Sequence, residues 1–416
     1  MKKWICFIIS LCILFAFTAC DQSSSGSETT APSTSVHDPL QPSETIPIAT
    51  APSTDPDATS GEGTVQQLPM ISVSVPVVSE STQAANGATV FTYTYQNISL
   101  ILPDPEVASR VTVDFLNRID QTAATANELR KSAQAAYSGS GNWSPYQYQI
   151  IYAPKRIDEN VLSFLGNNAS YSGASHPDSV YISANYDLVT GNAITLGNII
   201  TETTTANTLH RIIVDELNNI KGEKQLYSGF EDIVFDRLVK HISDDEGWYF
   251  SQNGLCFYFS PYEIAPYASG LVVAEIPYSA LSGILNDAYF PPERETTSGI
   301  VMLEAFDRAD HNRFSQYAEL IADPDGDRFL LYTDTAVYDL AIQTATYSDI
   351  TSEYVPKETV FACAALTPGD AVHVQAVTDP VDILLLTYHS NGMRYVSHIF
   401  KDPVTGNVNL IAAMDS

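Results

Sequence analysis

Thr89-Val90-Phe91-Thr92-Tyr93-Thr94-Tyr95, followed by Asp104-Pro105 and then Val107, Val111, Phe115 and Ile119, is the stretch that decides the fold class. Its first part alternates as a half-buried strand should, and Val73, Val75 and Val77 alternate upstream, with Asn86-Gly87 as the turn between them. Its second part changes period. Asp104 caps a helix with Pro105 at its first position, and the apolar residues recur at helical spacing, weakly as far as Tyr137. A hairpin joined to a long amphipathic helix predicts an α+β protein.

Downstream, Tyr146 to Tyr152, Val161 to Leu165, Val180-Tyr181-Ile182 and Tyr186-Asp187-Leu188 read as strands of a sheet that is antiparallel in good part. Two helices follow. Leu209, Ile212, Ile213, Leu217 and Ile220 keep one apolar face ending at Gly222, and Ser228-Gly229-Phe230-Glu231 has the form of a capping box opening a helix through Ile242. Trp248-Tyr249-Phe250, the turn Ser251 to Gly254 and Leu255 to Phe259 predict a hairpin, and Val272 to Ile276 a further strand. Pro291-Pro292 and the polar run Glu293 to Ser298 then break the pattern. Beyond them come six short strands, Phe329 to Tyr332, Val337 to Ile342, Thr359 to Ala364, Ala371 to Val377, Ile383 to Tyr388 and Tyr395 to Phe400, with a short helix expected near Phe314 to Leu320. The expectation is a mostly antiparallel sheet with helices packed on one face, followed by a small all-β C-terminal domain at 299–416.

The N-terminus reads as export signal. Lys2 and Lys3 precede an apolar stretch from Ile5 to Phe17 that is too short for a permanent span. Phe17-Thr18-Ala19-Cys20 resembles the lipobox of bacterial lipoprotein signals, which implies cleavage after residue 19 and lipid attachment at Cys20. Residues 1–19 are then a signal peptide. About half of residues 21 to 69 are Ser, Thr or Pro, with no Lys, Arg, Phe, Tyr or Trp, so 20–69 is expected to be a disordered tether with a reach of roughly 40 Å. The expected location is the extracytoplasmic face of the cell membrane, reached through lipid alone.

Twenty Lys and Arg stand against 49 Asp and Glu, a net charge of −29. That balance excludes nucleic acid, whose phosphates need a basic footprint, and favours cationic protein partners. After Cys6, Cys12 and Cys20 are set aside, Cys256 and Cys363 remain; Cys256, in Leu255-Cys256-Phe257-Tyr258-Phe259, reads as a small buried hydrophobe. Histidines are scattered, and Asp323-Pro324-Asp325-Gly326-Asp327 has its glycine two positions early for an EF-hand, so it reads as a turn. No metal site or cofactor is expected. Catalytic motifs such as Gly-x-Ser-x-Gly and His-Glu-x-x-His are absent, so no catalytic residue is assigned, although a carboxylate pair such as Asp187 with Glu263 can be imagined.

Gly173-Ala174-Ser175-His176-Pro177, then Asn185-Tyr186-Asp187-Leu188-Val189-Thr190-Gly191, resembles the Gly-Gly-Ala-His and Asn-Tyr-Asp-Leu-x-Thr-Gly pattern of the extracellular region of RsiV-type anti-sigma factors. Trp248-Tyr249-Phe250 to Phe259 and Pro261-Tyr262-Glu263-Ile264-Ala265-Pro266-Tyr267-Ala268 resemble the second half of that pattern. The same region is similar to the accessory part ahead of the catalytic domain in PdaC-type peptidoglycan deacetylases. The resemblance spans about residues 71 to 290 and implies a PdaC-like α+β domain at 70–185 and an RsiV-like C-terminal α+β domain at 186–292. In the anti-sigma factors such a region binds lysozyme; in the deacetylases it accompanies an enzyme acting on wall glycan. A sigma-binding segment, a transmembrane helix and a deacetylase domain are not recognised in the chain, so signalling and deacetylation are not carried over. The candidate binding residues are His176, in a Gly-rich turn, and Tyr262, Glu263 and Tyr267, in a loop stiffened by prolines. The expected partner is lysozyme or a similar cationic protein, or peptidoglycan.

Overall fold

The computed structural model describes residues 70–139, 143–350, 353–379 and 381–413. The expected leader, Cys20 and the tether lie outside the described residues. Strands β1 (Ser72–Ser74), β2 (Val77–Gln83), β3 (Thr89–Gln96) and β4 (Ser99–Ile101) precede helix α1 (Pro105–Ala136). Then come β5 (Tyr146–Ile157), β6 (Val161–Tyr171), β7 (Asp178–Asp187), the short α2 (Leu196–Ile199), α3 (Ala206–Lys224) and α4 (Phe230–Lys240). β8 (Trp248–Phe250), β9 (Gly254–Phe259) and β10 (Val272–Pro277) follow. The remaining strands are β11 (Val301–Ala305), β12 (Gln316–Ile321), β13 (Asp327–Thr333), β14 (Val337–Ser348), β15 (Glu353–Leu366), β16 (Asp370–Ala376), β17 (Asp382–Ser390), β18 (Met393–Lys401) and β19 (Val408–Ala413). The class is α+β, with strand predominating.

α1 starts where the sequence says it should. The Asp104 carboxylate accepts the backbone N–H groups of Glu106 and Val107, and Pro105 stands where no N–H is needed. Val107, Val111, Phe115 and Ile119 are buried, and Phe115 meets Tyr152 and Phe164, ring centroids 5.1 Å apart in both cases, on the sheet β2-β3-β5-β6-β7. Within that sheet β3 and β5, joined through α1, run parallel, and the other pairs are antiparallel. α3 and α4 pack on the second sheet, β10-β9-β8, through Leu209, Ile213, Leu217, Phe230, Val234 and Leu238. Two helix limits differ from expectation. α3 runs past Gly222 to a left-handed Gln225, because Lys224 donates to the carbonyls of Ser269 and Leu271 and holds the last turn in place. α4 is entered through Gly229 at φ +79° with no side-chain cap, so Ser228 to Glu231 is not the capping box the pattern suggested.

The six strands expected after residue 299 are all present, together with β11, β12 and β19. β12 occupies the place of the expected helix near Phe314 to Leu320. Ala318 and Leu320 are buried while Glu319 and Ile321 are exposed, a period of two, and pairing with β16 satisfies the backbone.

These residues make two sheets, β11-β13-β16-β12 and a seven-stranded one that is not built from them alone. Its order is β19-β18-β17-β14-β15-β1-β4, so residues 72–74 and 99–101 add two strands across the expected boundary at Glu293 to Ser298, with Val73 opposite Ala362. Ile71, Val73 and Val75 share one core with Phe115, Phe164, Ala362 and Ala364. The described residues accordingly belong to one compact unit. The segment at the expected boundary is tied down: Arg294 pairs with Glu159 at 2.6 Å and lies over the Tyr338 ring, and Thr297 donates to the Ala336 carbonyl.

Candidate functional site

Two loops meet at one end of the first two sheets. The first, between β6 and β7, turns at Gly173 (φ +87°) and ends on His176-Pro177. The second, between β9 and β10, carries Tyr262 and Tyr267. It is held from several sides. Ile264 and Ala265 are buried in the α3–α4 core, the Ser260 hydroxyl accepts from the Tyr181 N–H of β7, and the Ser269 hydroxyl donates to the Lys224 carbonyl. Glu263 accepts from the Ser260 N–H at 2.7 Å and forms an ion pair with Arg237 of α4. The Arg237 guanidinium in turn lies over Tyr258 and Phe259. Tyr262 has φ +72°, a left-handed conformation that a bulky residue adopts only when its surroundings impose it.

His176, Tyr262 and Tyr267 are brought together. The His176 ring stacks on Tyr267 with centroids 4.0 Å apart, and the two tyrosine rings are 5.5 Å apart. The Tyr262 hydroxyl is 3.2 Å from His176 Nε2, while Nδ1 is 3.1 Å from the Pro177 carbonyl. A neutral imidazole protonated at Nδ1 satisfies both contacts, donating to Pro177 and accepting from Tyr262. Tyr262 is 57% exposed and the other two rings are half-buried, so the cluster presents aromatic faces to solvent from a fixed scaffold. Glu263 is the candidate that does not join it. Its carboxylate turns inward to Arg237 and the Ser260 amide, the capping role that a loop acid can play.

A groove of about 280 Å³ continues from Tyr267 across β5, β6 and β7, and sequence reasoning missed it. Gln149, Ala169 and Ser179 stand in one row of the register, with Asn167 opposite Tyr181 in the next. Asn167 accepts the Ser179 hydroxyl at 2.6 Å. Gln147 and Gln149 alternate on the face of β5 opposite buried Tyr148, Ile150 and Tyr152, and only the register shows which strands they adjoin.

The Asn185-Tyr186-Asp187-Leu188 motif is structural. Asn185 is fully buried and donates to the carbonyls of Asp245 and Trp248 while its oxygen accepts the Ser163 hydroxyl. Tyr186 donates to Asp114, and Asp187 accepts the amides of Val189 and Thr190 to shape the turn at Gly191. Asp187 and Glu263 are thus each committed to local partners. Cys256 and Cys363 are both free and buried; burial pushes the Cys256 thiol up to about 12 and Cys363 up as well, which makes both poor nucleophiles. In the 323–327 run, Asp323 accepts from the Asp325 amide and Asp327 pairs with Lys401, as a turn would have it. Among the described residues no cluster of three or more His, Cys, Asp or Glu is arranged to hold a metal ion, and no helix is long and apolar enough to cross a membrane.

The stretch holding α3, α4 and the second sheet defines the class. Residues 198–279 match the family model DUF3298, described as a protein of unknown function, so the chain carries a DUF3298 domain. It contains Tyr262, Glu263 and Tyr267, whereas His176 comes from outside it. Solved structures of DUF3298 family proteins are similar to this chain. One, from Bacteroides fragilis, has 18% identity and a TM-score of 0.40, covering 52% of this chain and 94% of its own. Another, from Pseudomonas aeruginosa, has 14% identity and a TM-score of 0.37, covering 53% and 97%. No curated protein matches the chain.

Proposed function

We propose that the protein is a bacterial surface lipoprotein, cleaved before and lipidated on Cys20, whose region from 71 to 290 is a non-enzymatic recognition module for a cationic wall-active protein such as lysozyme. The observation that carries this reading is the preformed cluster of His176, Tyr262 and Tyr267, formed where the β6–β7 loop meets a β9–β10 loop anchored by Arg237, Lys224 and Tyr181. Rigid aromatic anchors give contact area at low entropic cost, and a net charge of −29 steers a basic partner toward the surface. The RsiV-like motifs supply the candidate partner. Calorimetry of the chain from residue 21 onward against lysozyme, at low and moderate salt, tests it. Micromolar binding that weakens with salt and drops at least about tenfold in Tyr262→Ala/Tyr267→Ala is expected. No heat in either buffer overturns it.

A second reading, a glycan-binding accessory of the cell wall, is favoured by the neutral amide and hydroxyl groove beside Tyr267. Sugars take stacking and neutral hydrogen bonds of that kind. On this reading the chain sediments with purified peptidoglycan and Asn167→Ala releases it, while a lysozyme binder stays in solution. Anchoring has its own test, since labelling with a clickable fatty acid should mark the wild type and not Cys20→Ala.

A further inference from the structure

On the side of β5 facing the seven-stranded sheet, a cleft of about 490 Å³ collects three departures from regular strand pairing. In β5, Pro154 pairs with Phe164 and Arg156 with Ser163, so Lys155 is an extra residue without a partner in β6. In β14, the pairing with β17 passes from Tyr338 opposite His389 to Ala341 opposite Thr387, three residues against two. Asp339 sits in that bulge at φ +51°. The third is the shift between β14 and β15 at Gln343, whose amide donates to Thr359 at 3.0 Å. Bulges re-aim side chains, and here two of them, in different sheets, deliver Lys155 and Asp339 to the same cleft.

The cleft sets Lys155, Arg156 and Arg394 against a single carboxylate, Asp339. Arg156 is spent on Asp158, Tyr278 and the Tyr289 carbonyl. Among the described residues Lys155 and Arg394 have no carboxylate at ion-pairing distance, although acidic residues outnumber basic ones more than twofold. His389 Nδ1 stands 3.3 Å from Asp339 yet is buried without an aligned hydrogen bond. Lys155 is half-buried, and its burial pulls the ammonium below the usual lysine range. Asn253 and Thr387 add neutral hydrogen-bonding groups to the lining.

We propose that this cleft binds an oxyanion, a carboxylate or phosphate carried on a small polar molecule, between the ammonium of Lys155 and the guanidinium of Arg394, with Asn253 and His389 as further hydrogen-bonding groups. The site is separate from the His176–Tyr262–Tyr267 cluster and stands or falls independently of it.

The test is calorimetry on the chain from residue 21 onward, titrated at low salt with inorganic phosphate and with N-acetyl-alanyl-alanine, whose methyl amide serves as the neutral control. Binding of at least one oxyanion in the range of about 1 mM or tighter is expected, with the control silent. The probe that binds tells phosphate from carboxylate. Lys155→Met and Arg394→Gln should each weaken it by about tenfold or more. Arg394 is exposed on the rim, so its variant keeps the fold and carries the test alone if Lys155→Met does not fold. Silence with both oxyanions at about 10 mM, or equal affinity in a folded Arg394→Gln, overturns the proposal.

Discussion

Glu263 and Tyr262 are neighbours in one loop and do opposite things. The glutamate faces inward to a largely buried Arg237, whereas the tyrosine, forced to positive φ, leaves its ring in water. Glu263→Gln should therefore cost about 2 kcal/mol of folding stability, read from the urea midpoint, because it leaves a guanidinium short of its counterion. A variant as stable as the wild type would show that the pair is dispensable. Two histidines give a pH dependence. Burial holds His373 and His398 below the usual imidazole range, so the folded form resists a proton that the unfolded chain accepts. Their contribution is complete above the ordinary value of 6.5 and is lost as pH falls through the depressed folded values. The urea midpoint should drop between about pH 7.5 and pH 5, and drop less in His373→Gln. Equal slopes in the two proteins would remove His373 from the account.

At the scale of elements, local signals set α1, the β8–β9 hairpin and most strands, since their residues bury on a regular period. Where the period was short or the end was set from outside, sequence reasoning failed, as at β12 and at the C-terminus of α3. Gly254 shows how tightly the elements fit. A Cβ there would fall on the Ile276 carbonyl of the paired strand β10, so one of the two backbones would have to shift. Gly254→Ala should destabilise the fold by about 2 to 3 kcal/mol in chemical denaturation, the cost of overpacking a tightly paired strand. A change of less than about 0.5 kcal/mol would mean that β9 and β10 can separate there.

Taken whole, the described chain is held together by its first strand. β1 and β4 lie in a sheet whose other five strands come after residue 336, and Val73 and Val75 are fully buried beneath it. A chain ending at Ser298 would expose that core and leave an unpaired edge, so it should aggregate or lose cooperative unfolding. The chain from residue 21 onward should give one calorimetric transition, and Glu293 to Ser298 should resist limited proteolysis. Two separated transitions, or a soluble and cooperative 21–298 fragment, would instead support the boundary that Pro291-Pro292 suggests.

Composition, period and capping residues by themselves determined that the chain is acidic, that it is α+β, where its long helix begins and which residues make most of its strands. Those are local properties, decided by which side chains recur on one face. Tertiary structure alone decided that residues 72–74 complete a sheet made by residues 337–413, that His176 meets Tyr262 and Tyr267 while Glu263 turns away, and that two bulges place Lys155 and Asp339 in one cleft. Each depends on register between strands distant in sequence. A one-residue slip in pairing moves a side chain to the opposite face, and the local pattern of the strand does not record where the extra residue falls.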